Sequence, residues 1–266
     1  MSRTLLGVAG HPVAHSRSPA MHNAALAALG MDWLYVPLPL PPERFGEAAV
    51  ALEGSGFRGI NVTVPHKVAA YELAHEHSQA AEAIGAANTL TFADGRIAAE
   101  NTDAQGFLDA LGEPPSGLRA LVLGAGGAAR AVVWALLQAG AAEVSVFNRT
   151  PDRAVALARE MGARQTDRAE PADLLVNCTS VGLGGGIAVE QAVDDLGLTA
   201  IAPPATVVDL VYGDEATPLA EWATAAGSRV VEGVEVLVRQ GARSLGLWTG
   251  REPPIDVMRQ AARAAY

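Results

Sequence analysis

The 266-residue sequence predicts an α/β protein of two domains, on three observations. Strand-like and helix-like segments alternate from end to end, the pattern of a mostly parallel sheet covered by helices. A glycine-rich turn, Gly124-Ala125-Gly126-Gly127-Ala128, follows an apolar strand and opens an apolar helix. A Gly/Pro-rich break, Gly112-Glu113-Pro114-Pro115-Ser116-Gly117, separates two such series, and a chain of this length commonly divides in two.

In the first series Thr4–Ala9 reads as a short apolar strand, followed by a loop over His11–Ser18. Pro19 can open a helix that Gly30 closes. Asp32–Leu38 follows as a strand, Glu43–Leu52 as a helix and Phe57–Val64 as a strand. Pro65 starts a helix to about Ala74, and Gln79–Ile84 forms another. Asn88–Phe92 and Arg96–Ala99 flank Asp94-Gly95, a hairpin turn signal, and this pair is expected at the edge of the first sheet. Behind the break come strands over Arg119–Leu123, Glu143–Phe147, Asp173–Cys178, Thr206–Val211 and Arg229–Val231. Helices are expected over Gly127–Ala139, Leu219–Ala226, Val236–Leu247 and Asp256–Ala265. The run Gly184-Gly185-Gly186 reads as a loop.

Composition excludes several classes. Half the residues are apolar and 18% are charged, enough for a large core and too apolar for disorder. No apolar run approaches the ~20 residues that cross a bilayer. Met1-Ser2-Arg3-Thr4 leads straight into the first strand, so no signal peptide is expected. A lone cysteine, Cys178, rules out an internal disulfide framework and fits a reducing cytoplasm. A net charge of −10 argues against nucleic acid or an anionic membrane as partner. His75-Glu76-His77 places two histidines on different faces of a predicted helix, so it reads as a solvated face and no metal is expected.

The glycine turn carries a ligand signature. Gly124-Ala125-Gly126-Gly127-Ala128-Ala129 fits G-x-G-x-x-A with a strand before and a helix after, the Rossmann dinucleotide fingerprint. The first glycine allows the turn; the second lets backbone approach a pyrophosphate seated at the helix N-terminus. Enzymes that prefer NAD place a carboxylate at the end of the next strand. Here that place holds Asn148-Arg149-Thr150, with Arg153 a turn later. Two guanidinium groups and no carboxylate suit a 2′-phosphate, so NADP is the expected cofactor.

Three polar clusters lie at strand ends in the first half. In His15-Ser16-Arg17-Ser18-Pro19, Ser18 is a natural N-cap, and the two hydroxyls can clamp a carboxylate. In Asn61-Val62-Thr63-Val64-Pro65-His66-Lys67, alternation turns Asn61 and Thr63 to one face. Lys67 falls in the first turn of a helix, where a cation opposes the dipole by several tenths of a kcal/mol. Of the 19 basic residues 18 are Arg and only Lys67 is Lys; an amine can exchange a proton where a guanidinium cannot. In Asn101-Thr102-Asp103, either Thr102 or Asp103 could be an ordinary N-cap. Asn88 adds an amide. Hydride addition to a ketone builds charge on oxygen and needs a proton donor. Lys67 would supply that proton, while Asp103 would orient it and accept a substrate hydroxyl.

These blocks resemble those of the shikimate dehydrogenase family, in family order from about Gly10 to Gly250. They include His-Ser-Arg-Ser-Pro-Ala-Met-His-Asn, Asn-Val-Thr-Val-Pro-His-Lys, Gly-Ala-Ala-Asn-Thr-Leu and Asn-Thr-Asp-Ala-Gln-Gly-Phe. Gly-Ala-Gly-Gly-Ala-Ala-Arg, Asn-Arg-Thr-Pro-Asp-Arg-Ala and Asn-Cys-Thr-Ser-Val-Gly-Leu extend it. The resemblance implies NADPH-dependent reduction of 3-dehydroshikimate to shikimate in aromatic amino-acid biosynthesis. It implies that Ser16 and Ser18 hold the substrate carboxylate, and that Thr63, Lys67, Asn88, Asp103, Tyr212 and Gln240 surround the ring hydroxyls. Leu210 and Gly233 would border the nicotinamide. Departures from the family pattern are Cys178 for Ala, Leu183 for Met, Val236 for Met and Leu245 for Phe; none removes a reacting group.

The resulting expectation is a substrate-binding and catalytic domain over 1–103 with a mixed, mostly parallel sheet. A Rossmann NADP-binding domain follows over 104–235, with the active site in the cleft between them. C-terminal helices over 236–266 would pack back on the first domain. Alternatives are a quinate or aminoshikimate dehydrogenase, differing by one ring substituent, and an NADP-binding regulatory paralogue without turnover. Such a paralogue should have lost Lys67 or Asp103, and both are present. A homodimer is among the assemblies the sequence allows.

Overall fold

The structure is a computed structural model that describes residues 3–265, so Met1 and Ser2 of the expected leaderless start lie outside the described residues. It is α/β, and spatial proximity divides it into two units: residues up to Gly106 together with those from Leu237 on, and Phe107–Val236.

The first unit runs β1 (Thr4–Gly10), α1 (Ser18–Ala28), β2 (Trp33–Pro39), α2 (Pro42–Glu53), β3 (Phe57–Val62) and α3 (Lys67–Leu73). It continues with β4 (Glu76–His77), α4 (Gln79–Ile84), β5 (Thr89–Ala93), β6 (Arg96–Glu100) and the start of α5 (Thr102–Leu111). The sheet order is β2-β1-β3-β5-β6-β4. Strands β2, β1 and β3 are parallel, and β5 runs antiparallel to both β3 and β6. Asp94 (φ 52°) and Gly95 (φ 74°) are both left-handed, the backbone a two-residue hairpin requires. That hairpin is not at the edge, because β4 adds parallel to β6. His75-Glu76-His77 is therefore not helical: His75 Nδ1 accepts from Ile97 N–H at 3.1 Å and His77 Nε2 donates to Tyr71 O at 2.8 Å. His75 and Glu76 satisfy polar groups on β6, and His77 one on α3, which no helix periodicity would reveal. Phe45, Ile60, Val62, Leu90, Phe92 and Ile97 are among the buried side chains of the core under this sheet.

The second unit contains β7 (Arg119–Leu123), α6 (Gly127–Gln138), β8 (Glu143–Phe147), α7 (Pro151–Met161), β9 (Arg164–Gln165) and β10 (Leu174–Asn177). Then come α8 (Val189–Asp195), β11 (Thr206–Asp209), α9 (Pro218–Ala225) and β12 (Arg229–Glu232). Its sheet is parallel throughout, in the order β12-β11-β10-β7-β8-β9. Helices cover both faces of such a sheet. Accordingly Leu121, Leu123, Leu175 and Val207 are all at most 1% exposed, and each contributes roughly 1.5–3 kcal/mol of burial. Helices α7 and α8 and strand β9 go beyond the sequence reading. Pro151 at the start of α7 and Gly162 (φ 75°) at its end supply the boundary signals.

Helix α10 (Gly233–Thr249) returns the chain to the first unit, and α11 (Ile255–Ala264) ends it. Trp248 Nε1 donates to Leu90 O at 3.2 Å, and Arg17 donates to Ala262 O at 3.3 Å. No helix among the described residues is long and apolar enough to cross a membrane.

Candidate active site

Two of the polar clusters of the first unit follow the C-terminal ends of β1 and β3, and the third, Asn101-Thr102-Asp103, follows β6. The β1 and β3 ends are joined: His11 N–H donates to Val64 O at 3.0 Å, and Thr63 N–H to Ala9 O at 2.9 Å. Ser18 is not the N-cap of α1. Arg17 holds that position, Ser18 is the first helical residue, and Ser16 Oγ accepts from Ser18 N–H at 3.3 Å. The reason is the buried Arg17 guanidinium, whose bond to Ala262 O fixes the loop one residue early. Helix α3 likewise starts at Lys67 and not at Pro65, because His66 N–H closes a turn onto Thr63 O at 3.0 Å. Burial holds the His66 ring below its ordinary pKa. It stacks on Phe45 at 4.4 Å and donates from Nε2 to Leu40 O at 2.7 Å.

Lys67 therefore occupies the first helical position beside an immobilised histidine. Its Nζ donates to Asp103 Oδ2 at 2.6 Å, with the two side chains only 12% and 17% exposed. Asp103 is available for this because Asn101 performs the capping: its Oδ1 accepts from Ala104 N–H at 3.3 Å. Neither Thr102 nor Asp103 is the cap. Thr102 N–H donates instead to Asn88 Oδ1 at 2.7 Å.

Asn88 is the centre of the constellation. Its Nδ2 lies 2.9 Å from Asp103 Oδ1 and 3.0 Å from Gln240 Oε1. Lys67, Asp103, Asn88 and Gln240 thus form one hydrogen-bonded set drawn from α3, α5, the start of β5 and α10. Asn61 supports it from a buried array: Tyr35 Oη donates to Asn61 Oδ1 at 2.8 Å, and Asn61 Nδ2 lies 2.9 Å from Ser244 Oγ and 3.2 Å from the Asn88 carbonyl oxygen. Sequence alternation put Asn61 and Thr63 on one face; β3 ends at Val62, and Asn61 is used by the core. Tyr35 and Ser244 were missed by sequence reasoning, since a tyrosine in an apolar strand and a serine on a helix give no local signal.

In the second unit the fingerprint adopts the backbone it needs. Gly124 has φ 103°, and a Cβ there would stand 3.2 Å from the Cys178 carbonyl group. A Cβ on Gly126 would meet nothing within 4 Å, so the turn preceding α6 presents open space where a pyrophosphate would approach. Gly127 and Ala128 open α6, whose first N–H groups face that space. Beside it lies a cavity of about 130 Å³ lined by Gly124, Asn148, Arg149, Thr179, Val181 and Leu196, among others. Asn148 Nδ2 donates to Thr150 O at 2.9 Å, which shapes the turn into α7; Thr150 and Arg153 are exposed. The backbone present fits a dinucleotide. Thr179 and Val181 went unnoticed as pocket residues. Leu210, Tyr212 and Gly233 also belong to this unit, and a Cβ on Gly233 would stand 2.6 Å from Leu210 O. Among the described residues no cluster of His, Cys, Asp or Glu could hold a metal ion.

Comparison with known proteins gives the same direction in every part of the chain. Residues 8–90 match the model of a shikimate dehydrogenase substrate binding domain, residues 111–180 that of shikimate / quinate 5-dehydrogenase, and residues 233–263 that of a shikimate 5′-dehydrogenase C-terminal domain. A shikimate dehydrogenase (NADP(+)) of Methanothermobacter thermautotrophicus is 41% identical, over 97% of this chain and 95% of its own. One of Anaeromyxobacter dehalogenans is 46% identical, over 98% and 96%. A crystal structure of shikimate 5-dehydrogenase from Thermus thermophilus, in complex with NADP(H) and shikimate, superposes with a TM-score of 0.87. It is 43% identical and is covered over its full length by 99% of this chain.

Proposed function

The chain belongs to the shikimate dehydrogenase family, and from that premise we propose how its residues carry out the family's reaction. It is an NADP-dependent oxidoreductase that interconverts 3-dehydroshikimate and shikimate. We assign the substrate to residues 1–103, with 236–266 against them, and the cofactor to 104–235.

NADPH, when bound, supplies the hydride. The chain's own part is to hold the ring and move one proton. Lys67, as an ammonium, donates a proton to the carbonyl oxygen on which charge builds; in the reverse direction its neutral amine takes the hydroxyl proton. Asp103 keeps the amine aimed and accepts a neighbouring ring hydroxyl. Asn88 and Gln240 hold the remaining hydroxyls, with Thr63 at the end of β3 and Tyr212 as further contacts. Ser16 uses its oxygen as an acceptor for Ser18 N–H, so its O–H remains to donate, with Ser18, to the ring carboxylate. On the cofactor side Gly124, Ala125, Gly126, Gly127 and Ala128 receive the pyrophosphate. Asn148, Arg149, Thr150 and Arg153 surround the 2′-phosphate, while Leu210 and Gly233 border the nicotinamide.

The observation that carries the assignment is the 2.6 Å Lys67–Asp103 pair, tied through Asn88 to Gln240. It gives one exchangeable proton inside a set of hydroxyl-binding groups. The test is a set of initial rates with shikimate and quinate, each with NADP⁺ and NAD⁺. Shikimate with NADP⁺ should be fastest by a wide margin; faster turnover of quinate would move the assignment to the other ring. Cytoplasmic residence, suited to the lone cysteine, belongs to this proposal. So does a homodimer as the assembly, which light scattering on the purified chain checks.

A further inference from the structure

Asp209, at the end of β11, is the most buried carboxylate of the second unit and has no part in the reaction described above; its residue is 1% exposed. Burial pushes its carboxyl above its ordinary pKa, and three neutral donors partly offset that. The donors come from different segments. Asn177 Nδ2, at the end of β10, donates to Oδ1 at 2.9 Å; Val211 N–H donates to the same oxygen at 3.1 Å; Thr217 Oγ1, at the cap of α9, donates to Oδ2 at 2.6 Å.

Each donor leads further. Asn177 Oδ1 accepts from Thr179 N–H at 3.0 Å and Thr179 Oγ1 at 2.8 Å, and Thr179 Oγ1 accepts from Val181 N–H at 3.1 Å. Thr179 and Val181 line the dinucleotide cavity beside Gly124 and Arg149. On the other side, Leu210 N–H donates to Asn177 O at 3.0 Å, and the Leu210 and Val211 carbonyls press against Gly233 so closely that no side chain fits there. An apolar residue could fill this site at no desolvation cost, so a buried carboxylate is justified only by what it holds together.

We propose that Asp209 is a positioning residue that fixes the Thr179–Val181 wall of the dinucleotide pocket and the Leu210–Tyr212 segment to one point. The adenosine-phosphate end and the nicotinamide end of the site are then set by a single carboxylate. The first half rests on the cofactor residues assigned under the proposed function, and the second on the assignment of Leu210 and Tyr212 there.

The reciprocal pair Asn177→Asp and Asp209→Asn tests it in the full chain. Asn177→Asp keeps the acceptor for Thr179 but sets a carboxylate against Asp209. It should raise the Kd for adenosine 2′,5′-bisphosphate about tenfold, the scale of one charged hydrogen bond, and lower kcat with shikimate and NADP⁺. Adding Asp209→Asn removes the like-charge contact and offers the new carboxylate a donor, but the same NH2 then faces Val211 N–H, so Kd should recover only part of the tenfold loss. If Asn177→Asp does not fold, Thr217→Ser, which keeps both the bond to Asp209 and the α9 cap to Ala220 N–H, should leave Kd unchanged, while Thr217→Val, which removes both, should raise Kd and lower kcat by a smaller factor than Asn177→Asp. Unchanged Kd in the single variant, or a double variant that binds no better than Asn177→Asp alone, would overturn the proposal. Failure of the unmodified chain to oxidise shikimate would instead count against the assigned reaction, and the bisphosphate titration would still read the coupling.

Discussion

Gln240 packs directly on Gly106: a Cβ built on Gly106 would stand 2.6 Å from both the Cβ and the backbone nitrogen of Gln240. This close approach of α5 to α10 is what lets Gln240 Oε1 reach Asn88, 152 positions away in the chain. Gly106→Ala would improve helix propensity by up to about 1 kcal/mol, but overpacking against backbone costs about 1–3 kcal/mol. The clash should win. We expect a modest loss of stability in chemical denaturation and a raised KM for shikimate, with KM for NADP⁺ near normal. A stabilised variant with unchanged shikimate KM would mean that the helices separate without disturbing Gln240.

The proposed basis of cofactor choice is the end of β8. Arg149 lines the cavity, Arg153 follows one turn later in α7, and Asp195, a carboxylate that also lines the cavity, comes from a different helix. Replacing Arg149 and Arg153 together by alanine should raise KM for NADP⁺ by about tenfold or more, the cost of losing charge-assisted contacts, while KM for NAD⁺ moves little. Equal effects on both cofactors would place the 2′-phosphate elsewhere.

His22 gives the fold a pH dependence. It is fully buried, stacked on Tyr35 at 4.2 Å, and neither ring nitrogen has a hydrogen-bond partner in the structure. Burial lowers its pKa from 6.5 to about 3. The unfolded chain therefore binds a proton below pH 6.5 that the folded chain refuses. Stability from this group is complete above pH 6.5 and falls as the pH drops toward 3, by roughly 1.4 kcal/mol per pH unit. His22→Phe removes the titration without breaking a protein hydrogen bond. Urea denaturation between pH 6 and 4 should show a shallower loss in the variant; parallel slopes would locate the acid sensitivity in other groups.

Local chemistry made part of this site legible in the sequence. The fingerprint glycines, the strand-end arginines and the single lysine each carry their meaning within a few residues. Capping did not, because Asn101, Thr102 and Asp103 are adjacent candidates and the choice among them is made by Asn88, brought in from a neighbouring strand. For the same reason Ser18 lost its expected cap to Arg17, whose partner is Ala262 at the far end of the chain. Gln240 had no local signal at all and was named only through family resemblance. The short strand β4 defeated periodicity, since two residues have no period.

If Lys67 moves the proton, replacing it should remove most of the turnover. Losing a general acid–base group typically lowers the rate by 10²–10⁴-fold. With shikimate and NADP⁺, Lys67→Ala should therefore lower kcat by about that factor while KM for shikimate changes little. Adenosine 2′,5′-bisphosphate binding should persist, as a check on the second unit. Lys67→Arg should recover little, because a guanidinium retains the charge but does not release its proton. A kcat within a few-fold of normal in Lys67→Ala, or full activity in Lys67→Arg, would contradict the account and move the proton transfer to Asp103.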